Sequence, residues 1–141
     1  MKKIISVTVF AFVMLSLFTV NSVASEKKTQ ATVSKSAKVE VYYFHFTRRC
    51  VTCQAVETET KKAISALYPA QVKNGLITFK AVNLDDKGSS VLASRCKAEG
   101  QALLVISGHK RIDLTEKGFM YAKSSPDKLK AELKKVIDPL L

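Results

Sequence analysis

The chain has 141 residues and carries 23 Lys and Arg against 12 Asp and Glu, a formal charge of +11. That length suffices for one domain with one core and excludes a large multidomain architecture. The cations are scattered through the chain, with no long basic run, so the balance describes a solvated basic surface and no nucleic-acid partner is expected.

The first segment has the anatomy of an export signal. Met1-Lys2-Lys3 is a short basic stretch, residues 4–20 carry no charge, and Ser22-Val23-Ala24 places small residues just before Ser25. Residues 1–24 are therefore expected to be a signal peptide, with the mature protein exported to the periplasm or secreted. The competing reading is an uncleaved anchor, because the apolar run approaches the length of a membrane span. Contact with a membrane is expected only through this segment, if it is retained. Residues 25–37 are polar and rich in Lys, Ser and Thr, and read as a flexible leader. Residues 38–141 are expected to form the domain.

Val39–Phe46 is a bulky β-prone run with large residues on both faces, as in a central strand covered by helices. Cys50–Leu67 reads as a helix, with Val56, Thr60, Ala63 and Leu67 at helical spacing and Pro69 ending it. Asn74-Gly75 is a turn before a second strand, Leu76–Leu84. Asp85-Asp86 is expected to cap a short helix over Ser89–Ala98, and Gly100 to terminate it.

Ala102–Ser107 and Arg111–Leu114 read as a hairpin turning at Gly108–Lys110. Thr115–Lys123 is expected to be irregular, with a special backbone position at Gly118. Ser125-Pro126-Asp127 starts a last helix whose apolar stripe is Leu129, Leu133, Val136 and Leu140. The order β-α-β-α-β-β-α predicts an α/β domain in which alternating strands and helices give parallel pairs and the hairpin gives an antiparallel edge.

The chemistry concentrates at Cys50-Val51-Thr52-Cys53, a C-x-x-C pair between the first strand and the first helix. A helix N-terminus offers partial positive charge and free N–H groups, and both favour a thiolate. Arg48 and Arg49 add two cations just upstream, as thiolate-stabilising or client-docking groups or as a merely solvated loop. Cys50 is the expected nucleophile. A structural disulfide is the plain alternative, but a bridge this short removes little unfolded-state entropy.

Element order and motif placement resemble the thioredoxin-like superfamily, over nearly the whole of residues 38–141. The resemblance implies a four-stranded mixed sheet flanked by helices, and a Cys50/Cys53 dithiol–disulfide couple. The chain departs from that family's pattern at several points. The middle dipeptide is Val51-Thr52, Arg49 stands where an aromatic residue often precedes the first Cys, and Phe44 stands where thioredoxins bury an acid. Gly100-Gln101-Ala102-Leu103 occupies the stretch where the family has a cis-proline. A trans bond is expected there, with Gln101 as a supporting residue of the site.

Cys96 shares a helical face with Leu92 and is expected to be a packing residue, the sharper alternative being a resolving thiol. His45 is expected to be a satisfied sheet-face histidine and His109 an exposed turn residue. No cofactor is expected, and no metal-ligand spacing supports a metal. The functional expectation is an exported thiol–disulfide oxidoreductase. Its partners would be protein or small-molecule disulfide or thiol clients, with a preference for acidic ones, and a redox partner that recycles the dithiol. The alternative is a non-catalytic binding module on the same fold, holding a metal or a protein partner.

Overall fold

A computed structural model of the protein describes residues 38–141. The expected signal peptide and leader lie outside the described residues. Strand β1 is Val39–His45, followed by helices α1 (Val51–Leu67) and α2 (Pro69–Lys73), then β2 (Ile77–Asn83) and α3 (Ser89–Cys96). The hairpin β3 (Ala102–Ser107) and β4 (Lys110–Asp113) leads into α4 (Thr115–Tyr121) and α5 (Pro126–Ile137), with a final 3-10 turn at Asp138–Leu140. The four strands form one mixed sheet in the order β2-β1-β3-β4. The α/β class and the helix-flanked four-stranded sheet match the expectation.

Strand β1 is central, parallel to β2 and antiparallel to β3. Alternation of strands and helices predicts a parallel β3, and the structure corrects that. The reason is length. Helix α3 has eight residues and spans about 12 Å, whereas a seven-residue strand spans about 23 Å. A helix that short does not carry the chain back along the sheet, so β3 starts at the end where β2 finishes. Its first residue, Ala102, pairs with Phe44 near the end of β1.

The period-two alternation of β1 divides the core. Val39, Val41 and Tyr43 join Val56, Ile64, Leu103, Val105, Leu129, Leu133 and Ile137 on the face covered by α1, α4 and α5. Tyr42 and Phe44 join Ala93, Cys96, Ala102 and Leu104 on the face covered by α3. Both sides are buried, as the bulky run of β1, broken only by Glu40 before His45, required.

Several local expectations are revised. Pro69 does end α1, but it also takes the N1 position of α2, where its missing N–H costs nothing. Thr115–Tyr121 is helical rather than irregular. Asp113 Oδ1 accepts from the Thr115 N–H and hydroxyl, and the Thr115 hydroxyl oxygen accepts from Leu103 N–H at 3.0 Å, which anchors the helix start to β3. Gly118 is special through packing. A Cβ there would stand 3.1 Å from Leu103 Cδ2 and 3.3 Å from Val56 Cγ1, so α4 lies close to both.

In α5 the buried partner after Leu133 is Ile137, while Val136 is only half-buried. Helix α3 is entered through Gly88 at φ +91° without a side-chain cap, and ends at Lys97 in the left-handed region. Neither Asp85-Asp86 nor Gly100 has its expected role.

Candidate functional site: a cysteine pair at the start of α1

The chain leaves β1 at His45, crosses Phe46–Arg49 and enters α1 at Cys50, the N-cap residue. The crossing loop is fastened to the next one. Thr47 N–H donates to Asp85 Oδ2 at 2.8 Å, and Asn83 Nδ2 donates to Thr47 Oγ1 at 2.9 Å. That backbone N–H holds the Asp85 carboxyl below its ordinary range. Asp85 thus positions the loop that carries the cysteines. No spacing rule pairs it with Thr47, so sequence reasoning missed it.

Cys50 is exposed and Cys53 is buried, and both are free thiols. Their sulfurs are 3.0 Å apart. Cys53 N–H points to Cys50 Sγ at 3.5 Å, so the thiol occupies the place of an N-cap side chain. The contact with Cys53 lowers the Cys50 pKa, helped by the backbone N–H groups of Cys53 and Thr52. The cause is hydrogen bonding at the helix start, which favours the thiolate. The arginines stand differently. Arg49 is paired with Glu57 on the next turns of α1, and Arg48 is exposed. Neither is a leading cause of the Cys50 shift.

Gln101 reaches the pair from the loop before β3. Cys53 Sγ donates to Gln101 Oε1 at 3.2 Å. The antiparallel β1–β3 pairing makes this possible, because the Phe44–Ala102 register sets Gln101 beside the end of β1. The peptide bonds of the described residues are all trans. Phe44 points to the other side of the sheet, among Tyr42, Ala93 and Leu104. The residue of β1 that lies against the cysteines is Tyr43, fully buried, and sequence reasoning passed over it.

Cys96 is 2 % exposed and packs on the α3 face, across the sheet from α1 and its cysteines. Burial pushes its thiol pKa up, the opposite of what an attacking thiol needs. That geometry makes it a packing residue. His45 is buried, with Nδ1 3.0 Å from the Phe46 carbonyl oxygen, and His109 is exposed in the hairpin turn. Among the described residues no group of three or more His, Cys, Asp or Glu side chains is arranged to hold a metal, and no helix is long and apolar enough to cross a membrane.

A cleft of about 290 Å³ lies at the other end of the sheet, lined by Arg95, Lys97, His109, Lys110 and Arg111 among others. Its guanidinium groups already have partners. Arg111 donates to the Cys96 and Lys97 carbonyls, and Arg95 donates to the Tyr42 hydroxyl. The Arg111 contacts close the α3 end onto the hairpin, and the Arg95 contact ties α3 to β1.

No family model matches the chain, and no curated protein matches it. Among solved structures it is similar to one described as "Structure of a malarial protein". The two are 22% identical, the match covers 70% of this chain and 96% of that one, and the TM-score is 0.44.

Proposed function

We propose that the protein is an exported, thioredoxin-like thiol–disulfide oxidoreductase that cycles Cys50 and Cys53 between dithiol and disulfide. The observation that carries this reading is the asymmetry of the pair. An exposed thiol with a lowered pKa caps a helix, and a buried thiol waits 3.0 Å away. In the reducing direction the Cys50 thiolate attacks a client disulfide and one client sulfur leaves as thiolate. Cys53 then attacks Cys50 Sγ, releasing the second client sulfur and closing Cys50–Cys53. The client gains two electrons and the pair loses two. Run backwards, the same steps oxidise a client dithiol, and a second redox partner restores the starting state.

Phe46 before the motif and Val51 within it are 40 % and 66 % exposed, so the rim around Cys50 offers apolar as well as cationic contacts to a client. Acidic clients suit the basic surface. Residues 1–24 supply the export. Intact mass of the exported protein should begin at Ser25, and a full-length chain in the membrane fraction would replace the signal peptide with an anchor.

The reading is tested by the order of alkylation. In the reduced protein, brief iodoacetamide treatment should label Cys50 before Cys53 and before Cys96, at a pH below the ~8.5 of a free thiol. Equal labelling of Cys50 and Cys53, or labelling of Cys50 only at more alkaline pH, would sink it. That Tyr43, and not a carboxylate, faces Cys53 from β1 is the observation that favours the alternative, a binding module whose thiols do not cycle. An equilibrium titration against glutathione, with no oxidised Cys50–Cys53 formed at any poise, would select that module.

A further inference from the structure

Tyr43 has a hydroxyl with no hydrogen-bond partner, on a side chain with no exposure to solvent. An orphaned hydroxyl in a core costs free energy, so its position calls for a reason. The side chain rises from β1 into the layer beneath α1, and the polar groups that act on its hydroxyl are those of Cys53, Arg49 and Cys50. Burial first, and then the charge and hydrogen-bonding reach of the nearby Cys53, push the Tyr43 pKa far above that of an ordinary phenol, although no formed hydrogen bond joins the two. Tyr43 therefore keeps its proton throughout the working pH range. It is a permanent donor, never a base.

The reduced state explains why this donor is idle. A neutral thiol sulfur is a weak acceptor, and a thiolate is a strong one. Cys53 has one proton to give, toward Cys50 Sγ at 3.0 Å or Gln101 Oε1 at 3.2 Å, and its contact with Gln101 exists only while Cys53 is protonated. Ionising Cys53 ends that contact and leaves a charge in a site that is 3 % exposed. At that step Cys50 is bonded to the client sulfur and carries no charge, Gln101 has its acceptor oxygen turned to Cys53, and Arg49 is paired with Glu57. His45 stacks 5.9 Å from the Tyr43 ring, and its Nδ1 is 3.0 Å from the Phe46 carbonyl oxygen. Tyr43 is the fully buried neighbour with a free donor.

The geometry points to Tyr43 as the hydrogen-bond donor that meets the negative charge on Cys53 when this thiol resolves a mixed disulfide on Cys50. This deepens the oxidoreductase reading and rests on it. The client disulfide is the oxidant. Cys53 gives its S–H proton to water, and its thiolate attacks Cys50 Sγ. The Cys50–Cys53 bond forms as the Cys50–client bond breaks, and the client sulfur leaves as thiolate to be protonated by solvent. Tyr43 gives up no proton and donates one hydrogen bond, which is strongest while Cys53 carries its charge. In the oxidised pair the charge is gone and the hydroxyl is idle again.

Tyr43→Phe removes only the oxygen and tests the idea in the full chain. Formation of the mixed disulfide by Cys50 should keep its rate, whereas its resolution by Cys53 should slow about tenfold, the size of one hydrogen bond to a charged group. A second pair of variants reads the same bond without any client. Iodoacetamide modification of Cys53 at fixed pH should be about tenfold slower in Cys50→Ala/Tyr43→Phe than in Cys50→Ala, with Cys96 labelling unchanged as the control.

Unchanged resolution and unchanged Cys53 labelling would overturn the assignment, as would equal slowing of both steps or of both thiols, which marks a structural role. The two readings fail separately. If the wild-type chain exchanges no disulfide but Cys53 labelling still falls, the oxidoreductase reading fails and the hydrogen bond stands.

Discussion

Cys50→Ala should lower disulfide exchange by at least about a hundredfold, because it removes the attacking group and leaves no substitute. Cys53 is 3 % exposed and Cys96 is 2 % exposed, so neither presents its sulfur to a client. Cys53→Ala should fail at a different step. Cys50 still attacks, but nothing resolves the product, and a client-linked species should accumulate on Cys50 that non-reducing electrophoresis and intact mass both detect. Retention of activity in Cys50→Ala, or absence of the trapped species in Cys53→Ala, would move the chemistry away from this pair.

The pH profile has a defined sign. The folded-state pKa of Cys50 is depressed, so attack should rise with pH through that lowered value and level off before the ~8.5 of a free thiol. By linkage, its contribution to the stability of the reduced fold is fully present above the unfolded pKa. It is lost as pH falls through the folded one.

Leu103→Ala should be the most damaging change to stability away from the cysteines. Leu103 has no exposed surface. It is in the middle of the core facing α1, and its Cδ2 fills the space left by the missing side chain of Gly118. The loss combines the transfer free energy of the removed carbons with the cavity they leave, about 2–5 kcal/mol. In a domain of this size that lowers the melting temperature by on the order of 10–25 °C. Urea unfolding followed by circular dichroism gives the comparison. A loss below about 1 kcal/mol would mean that α4 settles into the vacancy, and so is not held by the Thr115 contact to β3. The site should feel the change too, since Leu103 is two residues from Gln101.

Much of this architecture is legible in order along the chain. Six of the elements announce themselves by period and punctuation: β1 by its near-continuous β-prone run, α1 and α5 by helical spacing and Pro69 and Pro126, and β2, β3 and β4 by β-prone runs bounded by turns. The position of Cys50 at the start of α1 follows from the same local signals, because a strand end and a helix start are both written in neighbouring residues. The division of β1 into two buried faces is equally local, since alternation along a strand needs no knowledge of what lies opposite.

Other features depend on partners far away in the chain. Thr115–Tyr121 looks irregular until Asp113 and Leu103 supply the bonds that start a helix there. Gly118 looks like a turn residue until Leu103 and Val56 stand against it. Asp85 looks like a cap until Thr47 claims it, and Lys97 ends α3 where Gly100 was the better local candidate. The direction of β3 turned on the shortness of α3, and that direction brought Gln101 to Cys53.

The sequence by itself determined the α/β class, the strand-to-helix placement of Cys50 and Cys53, and the apolar faces of the strands and helices around them. Those follow from propensity and periodicity over a few neighbouring residues. Only the tertiary structure decided which thiol is exposed, that Cys96 stands across the sheet from the pair, and that Tyr43 rather than Phe44 faces it. Those depend on which side of the sheet each helix covers, which is set by packing between residues dozens of positions apart.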